Sequence, residues 1–143
     1  MGSLILVSGC LIGKNCKYNG GNNRNTDVIA YLKNREYMVI CPEVMGGLGI
    51  PHPPAEIQGD RVIDCHGNDV TSAFQKGAEC VLQIAREQNA DLCILKESSP
   101  SCGVHTVYDG TFSKRKVDGM GITAKRLYQE GFLIISEKDL KNN

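Results

Sequence analysis

The apolar runs Leu4-Ile5-Leu6-Val7, Tyr37-Met38-Val39-Ile40, Leu92-Cys93-Ile94-Leu95 and Phe132-Leu133-Ile134-Ile135 constrain this chain most. Each is too short for a core helix and lacks the alternation of a strand with one wet face. Each therefore predicts a strand covered on both sides. Helical spacings fill the intervals. Asn25 or Thr26 caps a helix running to about Lys33, with Ile29 and Leu32 inward. Thr71 caps the longest helix, over 72–88, where Phe74, Gly77, Ala78, Val81, Leu82 and Ala85 recur at i, i+3, i+4, i+7. Another covers 121–129, with Ala124, Leu127 and Tyr128 on one face and Gly131 past its end. Strands alternating with helices predict an α/β fold: one three-layer domain over 1–143 with a mainly parallel, Rossmann-like central sheet. Ligands of such sheets sit beyond the carboxyl ends of the strands.

The connections carry fewer signals. Pro42 ends the second strand near Cys41, and an unusually long loop follows from Met45 to Pro54. Arg61–Asp64 and Asp69-Val70 flank His66-Gly67-Asn68 as a small hairpin. Asp109-Gly110 turns a second one between Val107 and Phe112, and Glu137 to Leu140 makes a last helical turn.

Lys plus Arg and Asp plus Glu both number 16, so the formal net charge is zero. That balance excludes a dedicated nucleic-acid groove and an anionic-membrane surface. No apolar run reaches membrane-spanning length, and Leu4–Val7 is too short for an export signal. The expected location is the cytoplasm. Nothing in the pattern sets an oligomeric state. Seven cysteines, an odd number, do not form a disulfide framework in a reducing compartment. Packing, nucleophilic chemistry and metal ligation remain.

Position sorts these cysteines. Cys10, Cys41 and Cys102 each follow the carboxyl end of an expected strand, beside Gly9, Pro42 and Gly103. If those strands are neighbours, three thiols distant in sequence meet at one sheet edge. Glycine there allows close backbone approach to something bulky. Cys93 inside a strand and Cys80 near the apolar face of the long helix are expected in the core. Cys65 belongs to the hairpin, and Cys16 lies in the loop after Cys10, within reach of the site. Three thiolates suit zinc completed by water or a histidine, or an iron–sulfur cluster. His52, His66 and His105 stand at no short zinc spacing from a cysteine, and spacing alone leaves the metals undivided.

The segments VSGCLIGKNCKYNGG, ICPEVMGGLGIPHPPAEI, DVTSAFQKGA, SPSCG and GMGITAKRL span nearly the whole chain. Together they resemble the thiouracil desulfurase family, with CPE and SPSCG as the specific pair. The resemblance implies a [4Fe-4S] cluster held by three cysteines, mapping onto Cys10, Cys41 and Cys102. It implies non-redox desulfuration of a small thiolated compound such as a thiolated nucleobase. It further implies that the thiocarbonyl sulfur passes to an iron without a protein ligand and that water oxygen replaces it. It also implies a catalytic acid at Glu43 and a catalytic serine, which maps onto Ser101 with Ser99 as the other candidate. An exposed cluster is expected to be lost in air. Cys16 is an addition to the pattern, and Gly9 stands where other small residues are common.

The residues alone also accommodate a metal- or cluster-binding module without catalysis, in which Glu43 and Ser101 are dispensable. A metal-free persulfide enzyme with Cys102 as nucleophile is the other alternative. Glu56 is balanced between orienting substrate and holding the loop. Asn19, Gly20 and Gly21 read as a turn or a pocket edge. Lys14, Lys17, Arg24 and the run Lys114-Arg115-Lys116 read as solvated surface charge.

Overall fold

The computed structural model describes residues 4–140. Its centre is a parallel sheet of four strands: β1 (Leu4–Ser8), β2 (Glu36–Ile40), β5 (Ala90–Leu95) and β8 (Ile134–Ser136), in the order β2-β1-β5-β8. The register pairs Ser8 with Ile40, Val7 with Ile94 and Leu95 with Ser136, so all four carboxyl ends share one edge.

The absence of alternation has the expected cause in the central strands β1 and β5, whose faces are both covered, but not at the edges, where Tyr37 of β2 is exposed and Leu133 is exposed ahead of β8. Leu6, Cys93 and Leu95 point into one core with Val81, Leu82 and Ala85 of α3 (Thr71–Glu87) and with Ala124 and Leu127 of α4 (Ile122–Gln129). Ile5, Val7, Leu92 and Ile94 point the other way, against Val28 and Leu32 of α1 (Thr26–Leu32). The result is three layers, helix–sheet–helix.

Several local expectations are corrected. Asn25 caps α1 by accepting the Val28 N–H, but Val28 is buried beside Leu32 and Ile29 is only half-buried. Thr71 does not cap α3. It lies inside the first turn, buried, and its Oγ1 accepts the Val62 N–H. That bond ties α3 to β4 (Arg61–Asp64), a use of the hydroxyl that competes with capping. Tyr128 is 60% exposed rather than packed with Leu127. Cys80 is half-buried, whereas Cys93 is fully buried. The first hairpin joins β4 to β3 (Ala55–Gln58), and Asp69 contributes only an isolated bridge to Ile63. The second pairs β6 (Thr106–Tyr108) with β7 (Lys116–Asp118), a longer excursion than a turn ending at Phe112.

Beyond β2, Pro42 opens the one-turn helix α2 (Pro42–Met45), where a missing N–H costs nothing at the first helical position. This helix packs backbone to backbone on α3. A Cβ at Gly77 would stand 2.0 Å from the Pro42 carbonyl oxygen, and one at Gly46 2.0 Å from that of Ala73. Helix propensity favours Gly77→Ala by about 1 kcal/mol. The expected outcome is nonetheless a loss of about 3 kcal/mol, because the clash is with backbone that has nowhere to rotate. Thermal melting of Gly77→Ala checks the sign.

Candidate active site

The carboxyl ends of β1, β2 and β5 border a cavity of about 510 Å³, within the roughly 300–1,000 Å³ of small-molecule sites. Cys10, Cys41 and Cys102 all line it, with Glu43 and Ser101. Cys10 sits in a single 3₁₀ turn, Gly9–Ile12, directly after β1, and Cys41 lies between β2 and α2. Cys102 comes later, after β5 has given way to a folded loop that returns to the sheet edge.

That loop is held from two sides. The Glu97 side chain is buried, 5% exposed, and its Oε1 accepts the N–H groups of Ser98, Val104, His105 and Thr106 at 3.2, 2.8, 2.8 and 3.1 Å. Burial opposes its charge, but the N–H donors outweigh that and hold the carboxyl below its ordinary value. Next to it Ser98 takes φ +66°, a left-handed conformation that costs a non-glycine residue about 1–2 kcal/mol. From the other side, the first N–H groups of α4 bond to the loop: Ile122 to the Pro100 carbonyl, Thr123 and Ala124 to that of Ser101. Glu137, after β8, accepts the Glu97 N–H and pairs with Lys96 at 3.3 Å. Gly103 approaches this backbone and not a ligand, since a Cβ there would meet the Thr106 carbonyl oxygen at 2.5 Å.

Glu43 and Ser101, 58 positions apart in the chain, meet in the cavity wall. The Ser101 hydroxyl donates to Glu43 Oε2 at 3.0 Å. Ser99 Oγ accepts the N–H groups of Ser101 and Cys102, both at 3.1 Å, and lies 3.0 Å from Ser101 Oγ. With its acceptor side occupied, Ser99 donates its proton to Ser101, and the hydroxyls run in one direction towards Glu43. Ser8 Oγ donates to Cys102 Sγ at 3.3 Å while accepting the Lys96 N–H at 3.1 Å.

Cys10, Cys41 and Cys102 resist ionisation by themselves. Burial raises Cys10 above its usual pKa and pushes Cys102 up to about 12. Cys16 lies against Cys41. The Cys41 thiol donates to the Cys16 carbonyl oxygen at 3.8 Å, and the nearness of the two side chains raises Cys41 and lowers Cys16. Thiolates in this cavity need a cation, and a bound metal reverses the local preference. Among the described residues no three His, Cys, Asp or Glu side chains close on the point of a single ion. Three cysteines lining a cavity of this size are a donor set that fits an iron–sulfur group. His66 and His105 do not line the cavity, whereas His52 does.

Other candidates resolve too. Glu56 Oε1 accepts the Gly110 and Phe112 N–H groups, so it holds the loop over the cavity. Asn19 and Gly21 form an Asx turn outside the cavity lining. Lys17 and Lys114, expected as surface charges, stand at the cavity, as does Lys96. Sequence reasoning missed Glu97, whose only signal was a carboxylate directly after a buried strand.

A family model described as 2-thiouracil desulfurase matches residues 5–139. An uncharacterized protein of Bacillus subtilis (strain 168), YbbK, is 40% identical over 149 residues, covering 97% of this chain and 99% of the relative. The solved structure of TudS, a [4Fe-4S]-dependent thiouracil desulfidase, is 38% identical, with a TM-score of 0.91 over 96% of this chain and 93% of its own.

Proposed function

Because this chain belongs to the 2-thiouracil desulfurase family, we propose that it is a [4Fe-4S]-dependent desulfidase acting on a small thiolated nucleobase of the thiouracil type. The carrying observation is the cavity itself, which brings Cys10, Cys41, Cys102, Glu43 and Ser101 together from separate strand ends. Cys10, Cys41 and Cys102 would hold the cluster. When bound, such a group would supply Lewis-acid polarisation of a thiocarbonyl, with sulfur leaving carbon and water oxygen taking its place.

The protein's own part is orientation and proton handling. Glu43 Oε2 accepts the Ser101 proton, and a carboxylate at that place also accepts one from water approaching the substrate carbon. Ser101, 2% exposed, is held by Ser99 and Glu43 so that its oxygen stays fixed beside Cys102. Ser99 is occupied by two backbone N–H groups, which favours Ser101 as the reacting serine. Tyr18, Tyr108 and Phe112 line the same cavity and suit a planar ring. A metal-free cysteine nucleophile gains no support, because Cys102 is buried and its thiol is pushed up to about 12. No helix among the described residues is long and apolar enough to cross a membrane. The seven free cysteines suit a reducing compartment, and we assign the cytoplasm.

Anaerobic reconstitution with iron and sulfide, followed by turnover of a panel of thiolated nucleobases, tests the proposal. A brown protein that releases sulfide from a thiopyrimidine is expected. A brown protein inert on the whole panel would leave a binding module, and a colourless active one would require different chemistry.

A further inference from the structure

We infer that His52 is a positioning residue: it fixes the Glu43 carboxylate so that Oε2 stays on Ser101. The inference rests on the reading of Glu43 and Ser101 given above. The His52 Nε2 lies 3.0 Å from Glu43 Oε1, on the oxygen that Ser101 does not use. Each carboxylate oxygen thus has its own partner. Glu43 lines the cavity and is only half-buried, so hydrogen-bond partners and not core packing set its rotamer. With Oε1 unbound, one hydrogen bond to Ser101 would be all that holds it.

His52 is itself anchored well enough to serve. Its side chain is 9% exposed. Its backbone N–H donates to the Tyr18 carbonyl at 2.8 Å, and its ring tilts against Tyr18 with centroids 6.4 Å apart. The Nδ1 lies 2.9 Å from the Pro53 carbonyl oxygen and Nε2 faces a carboxylate oxygen; both partners accept, so both ring nitrogens carry a proton and His52 pairs with Glu43 as the imidazolium. The bond to Pro53 sets the ring plane and aims Nε2 at Glu43. The arrangement is the one by which a partner orients a reacting group without touching substrate. A histidine filling space would need neither nitrogen so aligned.

Three variants separate orientation from packing. His52→Ala is expected to keep iron per chain and lose activity in kcat by about 10- to 100-fold, the usual effect of removing an orienting partner, with KM little changed. His52→Gln extends an amide nitrogen to about the reach of Nε2 and should recover most of the loss. His52→Asn places its amide near the Nδ1 position, too short for Glu43, and should behave like His52→Ala. The double variant His52→Ala with Glu43→Gln should be no slower than Glu43→Gln alone, as for groups acting through one another. Melting temperature and iron content are read on every variant. Should His52→Ala fail to fold, the Asn–Gln comparison decides. Equal activity of His52→Asn and His52→Gln, or additive losses in the double variant, would overturn the inference. Wild-type kcat in His52→Ala beside an inactive Glu43→Gln would overturn it while sparing the role of Glu43. Full activity of Glu43→Gln would instead remove the reading on which it rests.

Discussion

Glu43→Gln is expected to retain its iron and to lose roughly two to four orders of magnitude in turnover, the scale of removing a general acid or base. The amide keeps the shape of the carboxylate and still accepts the Ser101 hydroxyl proton, so the cavity wall survives. What disappears is a group able to take and return a proton beside Ser101. Cys41→Ser, two positions away, is expected to fail differently. It removes a thiolate that softer iron chemistry requires and should lower iron per chain itself. Iron content beside turnover of a thiopyrimidine under anaerobic conditions distinguishes the two. Wild-type turnover in Glu43→Gln at full iron content would return Glu43 to a supporting role.

Glu97→Ala is expected to destabilise the fold by on the order of 4 kcal/mol, since each buried donor left unpaired costs about 1–3 kcal/mol. Four N–H groups converge on the lost oxygen, and one belongs to Ser98 in its left-handed conformation. Glu97→Gln keeps an acceptor oxygen and should cost much less, the difference reflecting the charge. The pH dependence has a definite sign. The folded-state pKa of Glu97 lies below its ordinary value. Its contribution is therefore complete above the unfolded value of about 4.3 and is lost as the pH falls through the folded one. Urea unfolding of the wild type and of Glu97→Gln across that range measures it. A stability difference that does not shrink in acid would show that the charge is unimportant.

The centre of the sheet was legible because burial on both faces removes polar residues from Leu4–Val7 and Leu92–Leu95. The placement of Cys10 and Cys41 was legible for the same reason, since a strand end is visible wherever the apolar run stops. Glycine and proline positions were readable as breaks but not as contacts. Gly46 and Gly77 touch the backbone of another helix, and only tertiary structure reveals which. Strand β3 escaped notice because Ala55-Glu56-Ile57-Gln58 is short and lies at an edge, directly after Pro53-Pro54. Thr71 misled because a hydroxyl before an apolar helix is the usual cap signal, and here β4 claims it. The link between His52 and Glu43 was hidden because it depends on the path of the intervening loop, which has no periodicity to read.

The order β2-β1-β5-β8 has a consequence for how the protein is made. Translation delivers Cys10 and Cys41 early, on strands that already pair, but Cys102 belongs to the last third of the chain. The loop bearing it also leans on α4 and on Glu137, later still. A nascent chain therefore has Cys10 and Cys41 in place before the loop of Cys102 can fold. On the proposed reading, iron and sulfide would be loaded onto a fold in which α4 and Glu137 already hold the Cys102 loop.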